Sequence, residues 1–81
     1  MQTIWITGGS SGIGYATAKE FLSNGWQVII SSSNNEKLEA AKKKLSKNKN
    51  SNLLHIITCD ISLKKNVYDT IDYIENKIGK I

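Results

Sequence analysis

The 81-residue sequence is long enough for one small hydrophobic core, and a hydrophobic content of 40% excludes a disordered chain. Its net charge is +4, and all of its basic residues are lysines, which cluster between residues 42 and 49. This cluster indicates a solvated helix face, and the absence of arginines argues against nucleic acid as a partner. No apolar run could span a membrane, no signal peptide is recognisable, and the single cysteine, Cys59, cannot form an internal disulfide, so a cytoplasmic protein without membrane association is expected.

The first predicted elements are a buried strand, a glycine-rich turn and a helix. The strand is the apolar run Thr3–Ile6, and the helix covers Tyr15–Leu22. The turn between them, Thr7–Gly14, contains four glycines. Glycines let a backbone approach a ligand closely, and the unpaired N–H groups at a helix start favour an anion such as pyrophosphate. This order of elements predicts phosphate binding, the alternative being a glycine turn that binds nothing.

Two further strand–helix pairs follow, after Asn24-Gly25 predicts the end of the first helix. The predicted elements are a strand over Gln27–Ser32, a helix from about Glu36 to Lys47, a strand over Leu53–Thr58 and a helix from Val67 to Ile78. The third strand is apolar nearly throughout, which predicts cover on both faces. The only histidine, His55, lies in it without a second metal ligand nearby, so a structural position is favoured over a metal or catalytic role.

The alternation β-α-β-α-β-α predicts the fold class. Right-handed crossovers give three parallel strands in spatial order 3-2-1, the start of a Rossmann-type doubly wound α/β sheet. The first strand then lacks a neighbour on its far edge, and an open apolar edge is an aggregation hazard. The sequence is therefore expected to be the N-terminal piece of a longer protein.

The pattern Thr-Gly-x-x-x-Gly-Ile-Gly after an N-terminal strand resembles the signature of the short-chain dehydrogenase/reductase family, and the resemblance covers the whole chain. It implies that residues 1–81 are the N-terminal part of a single NAD(P)-binding domain. It also implies an oxidoreductase that interconverts a carbonyl and an alcohol, with a small-molecule substrate only in the full-length protein. A homo-oligomer is expected at full length.

The resemblance assigns the pyrophosphate to the glycine turn. Gly8, Gly12 and Gly14 would shape this turn, and Thr7 would help to fix it. Ile13 would lie at the junction between the phosphates and the nicotinamide.

The adenosine half of the cofactor is assigned in the same way. Ser10 and Ser11 would lie near the adenosine ribose. Asp60 would accept a hydrogen bond from the adenine amino group, with Ile61 beside the ring. Without the family framework, a helix N-cap or a turn residue would be the favoured interpretation of Asp60.

The end of the second strand decides between NAD and NADP. An acidic residue there binds the ribose 2′-hydroxyl of NAD and repels a 2′-phosphate. In this chain the region contains Ser31, Ser32, Ser33 and Asn34, and no acid precedes Glu36; Ser32, Ser33 and Asn34 are the predicted site residues. The arginine that many NADP-dependent members carry at Ser33 is also absent. Serine hydroxyls, Asn34 and Lys37 could hold a phosphate less tightly than arginine, so NADP is favoured and NAD is the alternative.

The residues of proton transfer are missing. The family's serine and its Tyr-x-x-x-Lys pair lie beyond residue 81, and the look-alikes Tyr15–Lys19 and Tyr73–Lys77 are interpreted as surface pairs on helices. We therefore predict no catalytic residue and no metal ligand, and we expect this chain alone to be inactive. The alternative function is a non-catalytic nucleotide-binding or interaction fragment.

Overall fold

The structure, a computed structural model, describes residues 1–10 and 12–81, in which strands and helices alternate along the chain. The elements are β1 (Thr3–Thr7), α1 (Gly12–Ser23), β2 (Gln27–Ser32), α2 (Asn35–Leu45), a single 3-10 turn (Ser51–Leu53), β3 (Leu54–Thr58) and α3 (Lys64–Lys77). The predicted α/β alternation is confirmed. Among the described residues, no helix has both the length and the apolar character that a membrane span needs.

The three strands form one parallel sheet in the order β1-β2-β3, which confirms the predicted arrangement 3-2-1. In the register, Thr7 of β1 is opposite Ser31, and Ser32 is opposite Thr58 of β3. All three strands therefore end at the same edge of the sheet, and the loops that follow them meet there.

The main core lies on one face of the sheet, between β2 and the first two helices. Alternation along β2 directs Val28 and Ile30 to this face. The buried cluster contains Ala18, Leu22, Val28, Ile30, Leu38, Ala41 and Leu45. Because both helices present these small and aliphatic side chains at helical spacing, they bury one stripe each against the central strand.

The opposite face of the sheet is covered by α3. Ile29, which alternates with the core residues of β2, is fully buried, as is Ile74 of α3. The Gln27 side-chain amide donates to the Ile78 carbonyl oxygen at 3.0 Å, just after the end of α3. Gly79 lies so close to Thr3 that a Cβ on it would be 2.9 Å from the Thr3 hydroxyl oxygen.

The third strand differs from the sequence expectation. It lies at the edge of the described sheet, and Leu54–Ile57 are half-buried, whereas Val28–Ser31 of the central strand are buried throughout. Both faces of β3 are therefore only partly covered, because an apolar run does not distinguish a central strand from an edge strand. Its first predicted residue, Leu53, belongs to the 3-10 turn.

His55 in this edge strand provides a prediction about pH. Partial burial disfavours the charged imidazole and lowers the pKa of His55 below its ordinary value of 6.5. The unfolded chain then binds the proton more tightly than the folded chain does, so stability falls as the pH falls through 6.5. We expect a lower urea midpoint at pH 5.5 than at pH 7.5, and a smaller difference in His55→Gln. An equal difference in both proteins would assign the pH dependence to other groups.

The end of α1 shows how local sequence sets a boundary. Gly25 has a φ of +83°, its N–H donates to the Leu22 carbonyl oxygen, and the Trp26 N–H donates to the Phe21 carbonyl oxygen. These two bonds form a Schellman motif, and the Phe21 and Trp26 rings pack edge to face 4.8 Å apart. The helix end predicted from Asn24-Gly25 is confirmed.

The polar loop between α2 and the 3-10 turn, residues 46–50, is hydrogen-bonded to the same end of α1. The Asn48 side-chain amide donates to the Ser23 hydroxyl at 3.0 Å. The Asn50 side-chain amide donates to the Leu22 carbonyl oxygen at 2.9 Å, so a second donor besides the Gly25 N–H binds this carbonyl.

Candidate nucleotide-binding site

A cleft of about 210 Å³ opens at the edge of the sheet where the three strands end. The segments that follow β1, β2 and β3 each contribute to its walls. Its lining residues are Thr7, Gly8, Ser31, Ser32, Ser33, Cys59, Asp60 and Ile61. In open α/β sheets, ligands bind in a crevice outside the carboxyl ends of the strands, which is where this cleft lies.

The first wall is the glycine turn after β1. Gly8 has a φ of +70° and Gly12 a φ of +61°, both in the left-handed region that side chains disfavour. A Cβ placed on either glycine would have no neighbouring atom within 4 Å. The turn therefore presents bare backbone next to open space, which a phosphate group could approach closely.

Two other glycines hold the turn against its surroundings. A Cβ on Gly14 would be 2.5 Å from the Gly8 carbonyl oxygen, so the first turn of α1 packs directly on the loop backbone. A Cβ on Gly9, which is buried, would be 2.6 Å from Cγ2 of Ile30. Gly9 was not predicted to have a role in the site, and only its place directly after Gly8 could have indicated one.

The helix α1 begins at Gly12, three residues before the predicted start. Its first turn contains no acidic residue, and the first N–H groups of a helix have no partner within it. The positive end of the helix dipole is therefore available to an anion. Ile13 in this turn is 87% exposed, so its side chain covers no part of the core.

The second wall is the end of β2. The Ser32 hydroxyl oxygen accepts the Asn34 N–H at 3.1 Å, which leaves the hydroxyl hydrogen of Ser32 for another acceptor. Asn34 is the N-cap of α2, and its side-chain oxygen accepts the Lys37 N–H at 3.1 Å. The cap uses this oxygen and leaves the amide nitrogen as the donor of Asn34. Ser33 is exposed.

The third wall follows β3. Asp60 accepts two hydrogen bonds from Ser62 on the same oxygen, Oδ1, one from the hydroxyl at 2.6 Å and one from the backbone N–H at 3.0 Å. The hydroxyl bond, followed by the backbone bond, holds the pKa of this carboxyl below its ordinary value. Asp60 is thus a turn residue as well as a cleft residue, and Ile61 beside it is 54% exposed.

The cleft brings together some of the predicted residues and not others. Thr7, Gly8, Ser32, Ser33, Asp60 and Ile61 line it, whereas Ser10, Gly12, Ile13, Gly14 and Asn34 lie on adjoining backbone and do not. Ser11 is outside the described residues. Ser31 and Cys59 also line the cleft but were not predicted as site residues. Only their positions next to the predicted site residues Ser32 and Asp60 could have indicated a place in the cleft.

The two Tyr–Lys look-alikes lie on helices, as predicted. Tyr73 is 53% exposed on α3. Tyr15 is half-buried and packs against the main core, with Nζ of Lys44 5.7 Å from its ring centroid. Tyr15 is therefore partly buried, whereas Lys19 of the same pair is exposed. Neither tyrosine lines the cleft.

Sequence comparison gives a family match over nearly the whole chain. The short chain dehydrogenase family matches residues 2–81. Chlorophyll(ide) b reductase NOL, a chloroplastic protein of Oryza sativa subsp. japonica, is 39% identical over 78 residues, which cover 96% of this chain and 23% of that protein.

Solved structures show the same fold. A short chain oxidoreductase from Pseudomonas aeruginosa PAO1, determined with NADPH bound and described as having an atypical catalytic center, is 31% identical with a TM-score of 0.88. Menthone neomenthol reductase from Mentha piperita is 25% identical with a TM-score of 0.86. The match covers 96% of this chain in both cases, and 30% and 28% of those chains. The chain thus spans less than a third of the length of each of these relatives. Because the family match covers residues 2–81, the chain belongs to the short chain dehydrogenase family.

Proposed function

We propose that residues 1–81 form the N-terminal part of an NAD(P)-binding domain in an oxidoreductase that interconverts a carbonyl and an alcohol. The observation that carries the proposal is the glycine turn: two glycines with positive φ face open space at the start of α1, beside a cleft at the carboxyl ends of the strands. The NADPH-bound Pseudomonas structure supports the same role.

The residues of the cleft fit a dinucleotide. The backbone of Gly8 and Gly12 and the N-terminus of α1 would hold the pyrophosphate, since a Cβ at either glycine would occupy the space beside the turn. Asp60 and Ile61 would hold the adenine between a carboxylate oxygen and an apolar side chain. The bound nicotinamide would supply hydride transfer, and this chain's residues would bind and orient it.

NADP is the favoured cofactor. Ser32 and Ser33 line the cleft where an NAD-selective site would have an acid, and the first acid after β2 is Glu36, in the first turn of α2. The Ser32 hydroxyl hydrogen and the Asn34 amide would be donors for a 2′-phosphate. We also propose a cytoplasmic location, on the grounds of the single free cysteine.

Calorimetric titration with NADPH and NADH tests this proposal. We expect saturable binding of both, with NADPH the tighter ligand. The variant Asp60→Asn tests the adenine contact separately. The asparagine oxygen could still accept the two hydrogen bonds from Ser62, but the NH₂ group could not accept a hydrogen bond from the adenine amino group. The loss of this hydrogen bond to a charged group should weaken NADPH binding by roughly tenfold.

Asp72→Asn is the matched control, since this residue is exposed on α3 and its substitution makes the same change in net charge. It should leave the affinity unchanged. Failure of the unmodified protein to bind either cofactor would refute the proposed function. Equal losses in both variants would show that net charge, and not the Asp60 carboxylate, determines affinity.

A further inference from the structure

Ser31 near the end of β2 is a buried polar residue in the central strand. It is 1% exposed, and its hydroxyl oxygen accepts the indole N–H of Trp5 at 2.8 Å. Trp5 lies on β1, two residues before Thr7, which is the register partner of Ser31. Alternation places Trp5, Thr7 and Ser31 on the same face of the sheet. The Trp5–Ser31 side-chain hydrogen bond therefore runs diagonally from β1 to β2, near the carboxyl ends of the two strands.

The backbone of the same serine supports the glycine turn. Its carbonyl oxygen accepts the N–H of Gly8 at 2.7 Å, the first backbone bond after β1 ends. The next carbonyl, that of Ser32, accepts the N–H of Cys59 at 2.9 Å, where the segment after β3 begins. The first and third walls of the cleft are thus each bonded to one of the last two residues of β2.

We propose that Trp5 is a positioning residue for the nucleotide cleft, which acts through the Ser31 hydroxyl to hold the Gly8 N–H in place. This inference rests on the proposed dinucleotide function. Strand ends fray unless their last residues are fixed, and a buried hydroxyl without a partner is costly. The Trp5 indole N–H gives the buried Ser31 hydroxyl a hydrogen-bond partner. It thereby helps to fix Ser31, whose carbonyl oxygen accepts the Gly8 N–H.

The test removes the indole–hydroxyl bond from each side. Trp5→Phe keeps an aromatic ring and loses the N–H, and Ser31→Ala loses the acceptor. We expect each to raise the dissociation constant for NADPH about fivefold and to speed hydrogen exchange at the Gly8 amide by a similar factor, as loss of one hydrogen bond predicts. The double variant should match either single variant, because both remove the same bond.

Trp26→Phe is the matched control: it also removes an indole N–H, next to Phe21 at the opposite end of β2. It should alter neither the affinity nor the exchange of Gly8. Unchanged values in Trp5→Phe and Ser31→Ala, or additive effects in the double variant, would overturn the inference while NADPH binding by the unmodified protein stands. Absence of NADPH binding by the unmodified protein would overturn the proposed function and this inference with it.

Discussion

Replacing Gly12 by alanine is expected to weaken NADPH binding by roughly tenfold or more, while the same replacement at Gly25 leaves it unchanged. These two glycines bracket α1, with φ values of +61° and +83°, and a Cβ on either would have no atom within 4 Å. Both alanine variants should therefore incur a similar backbone penalty, about 1–2 kcal/mol of unfolding free energy. Only at Gly12 would the added methyl group occupy the space proposed for the pyrophosphate.

Urea unfolding and calorimetry on both variants separate these effects. The pair is informative because both variants should lose stability, whereas only Gly12→Ala should also lose affinity. If Gly12→Ala binds NADPH normally, the turn has only a structural role. If Gly25→Ala loses as much affinity as Gly12→Ala, destabilisation alone accounts for the loss.

The second large effect is expected from Ser32→Asp. An aspartate at this position could still accept the Asn34 N–H, as the Ser32 hydroxyl does at 3.1 Å, so the local turn would survive. Its carboxylate would repel a 2′-phosphate, and a pair of unit charges 4 Å apart interacts with about 1 kcal/mol in water and about 4 kcal/mol near a protein surface. We expect the ratio of NADPH to NADH affinity to fall roughly tenfold or more.

Asn52→Asp is the control for net charge, because this exposed residue lies in the 3-10 turn before β3 and does not line the cleft. Ser33→Arg should act in the opposite direction and strengthen NADPH binding through a charge-assisted bond. All dissociation constants should be measured at one salt concentration, since ions screen such effects. A cofactor ratio that Ser32→Asp leaves untouched would mean that this residue does not contact the ribose end of the cofactor.

The sequence predicts the parts of the fold that depend on local chemistry. β2 has the predicted bounds, and the end of α1 follows from a glycine that alone tolerates the φ of a Schellman motif. The start of α1 was misplaced because Gly12 and Gly14 are poor helix formers. Gly14 nevertheless lies in the first turn of α1, where it packs directly on the loop backbone, a contact that the sequence does not reveal. The half-buried edge position of β3 depends on neighbouring strands, which periodicity does not reveal.

The same distinction applies to the site. The glycine spacing indicates the turn, and the resemblance to a family indicates Asp60. The bond between Trp5 and Ser31 could not be predicted, because it requires the register that pairs Thr7 with Ser31. The cap at Asn34 uses the side-chain oxygen and leaves only the amide nitrogen for the predicted ligand role, and residue identity alone does not show which atom of a side chain is already used.

The hydrogen bonds between the polar loop and the C-terminal end of α1 bear on the position of this helix along its axis. The helix has 12 residues and is therefore about 18 Å long. At one end Gly14 is in contact with the loop backbone, and at the other the Asn50 amide and the Gly25 N–H bind the Leu22 carbonyl oxygen. Contacts at both ends should therefore oppose a shift of α1 along its axis. The polar loop before β3 would thereby help to fix the position of the helix N-terminus relative to the cleft.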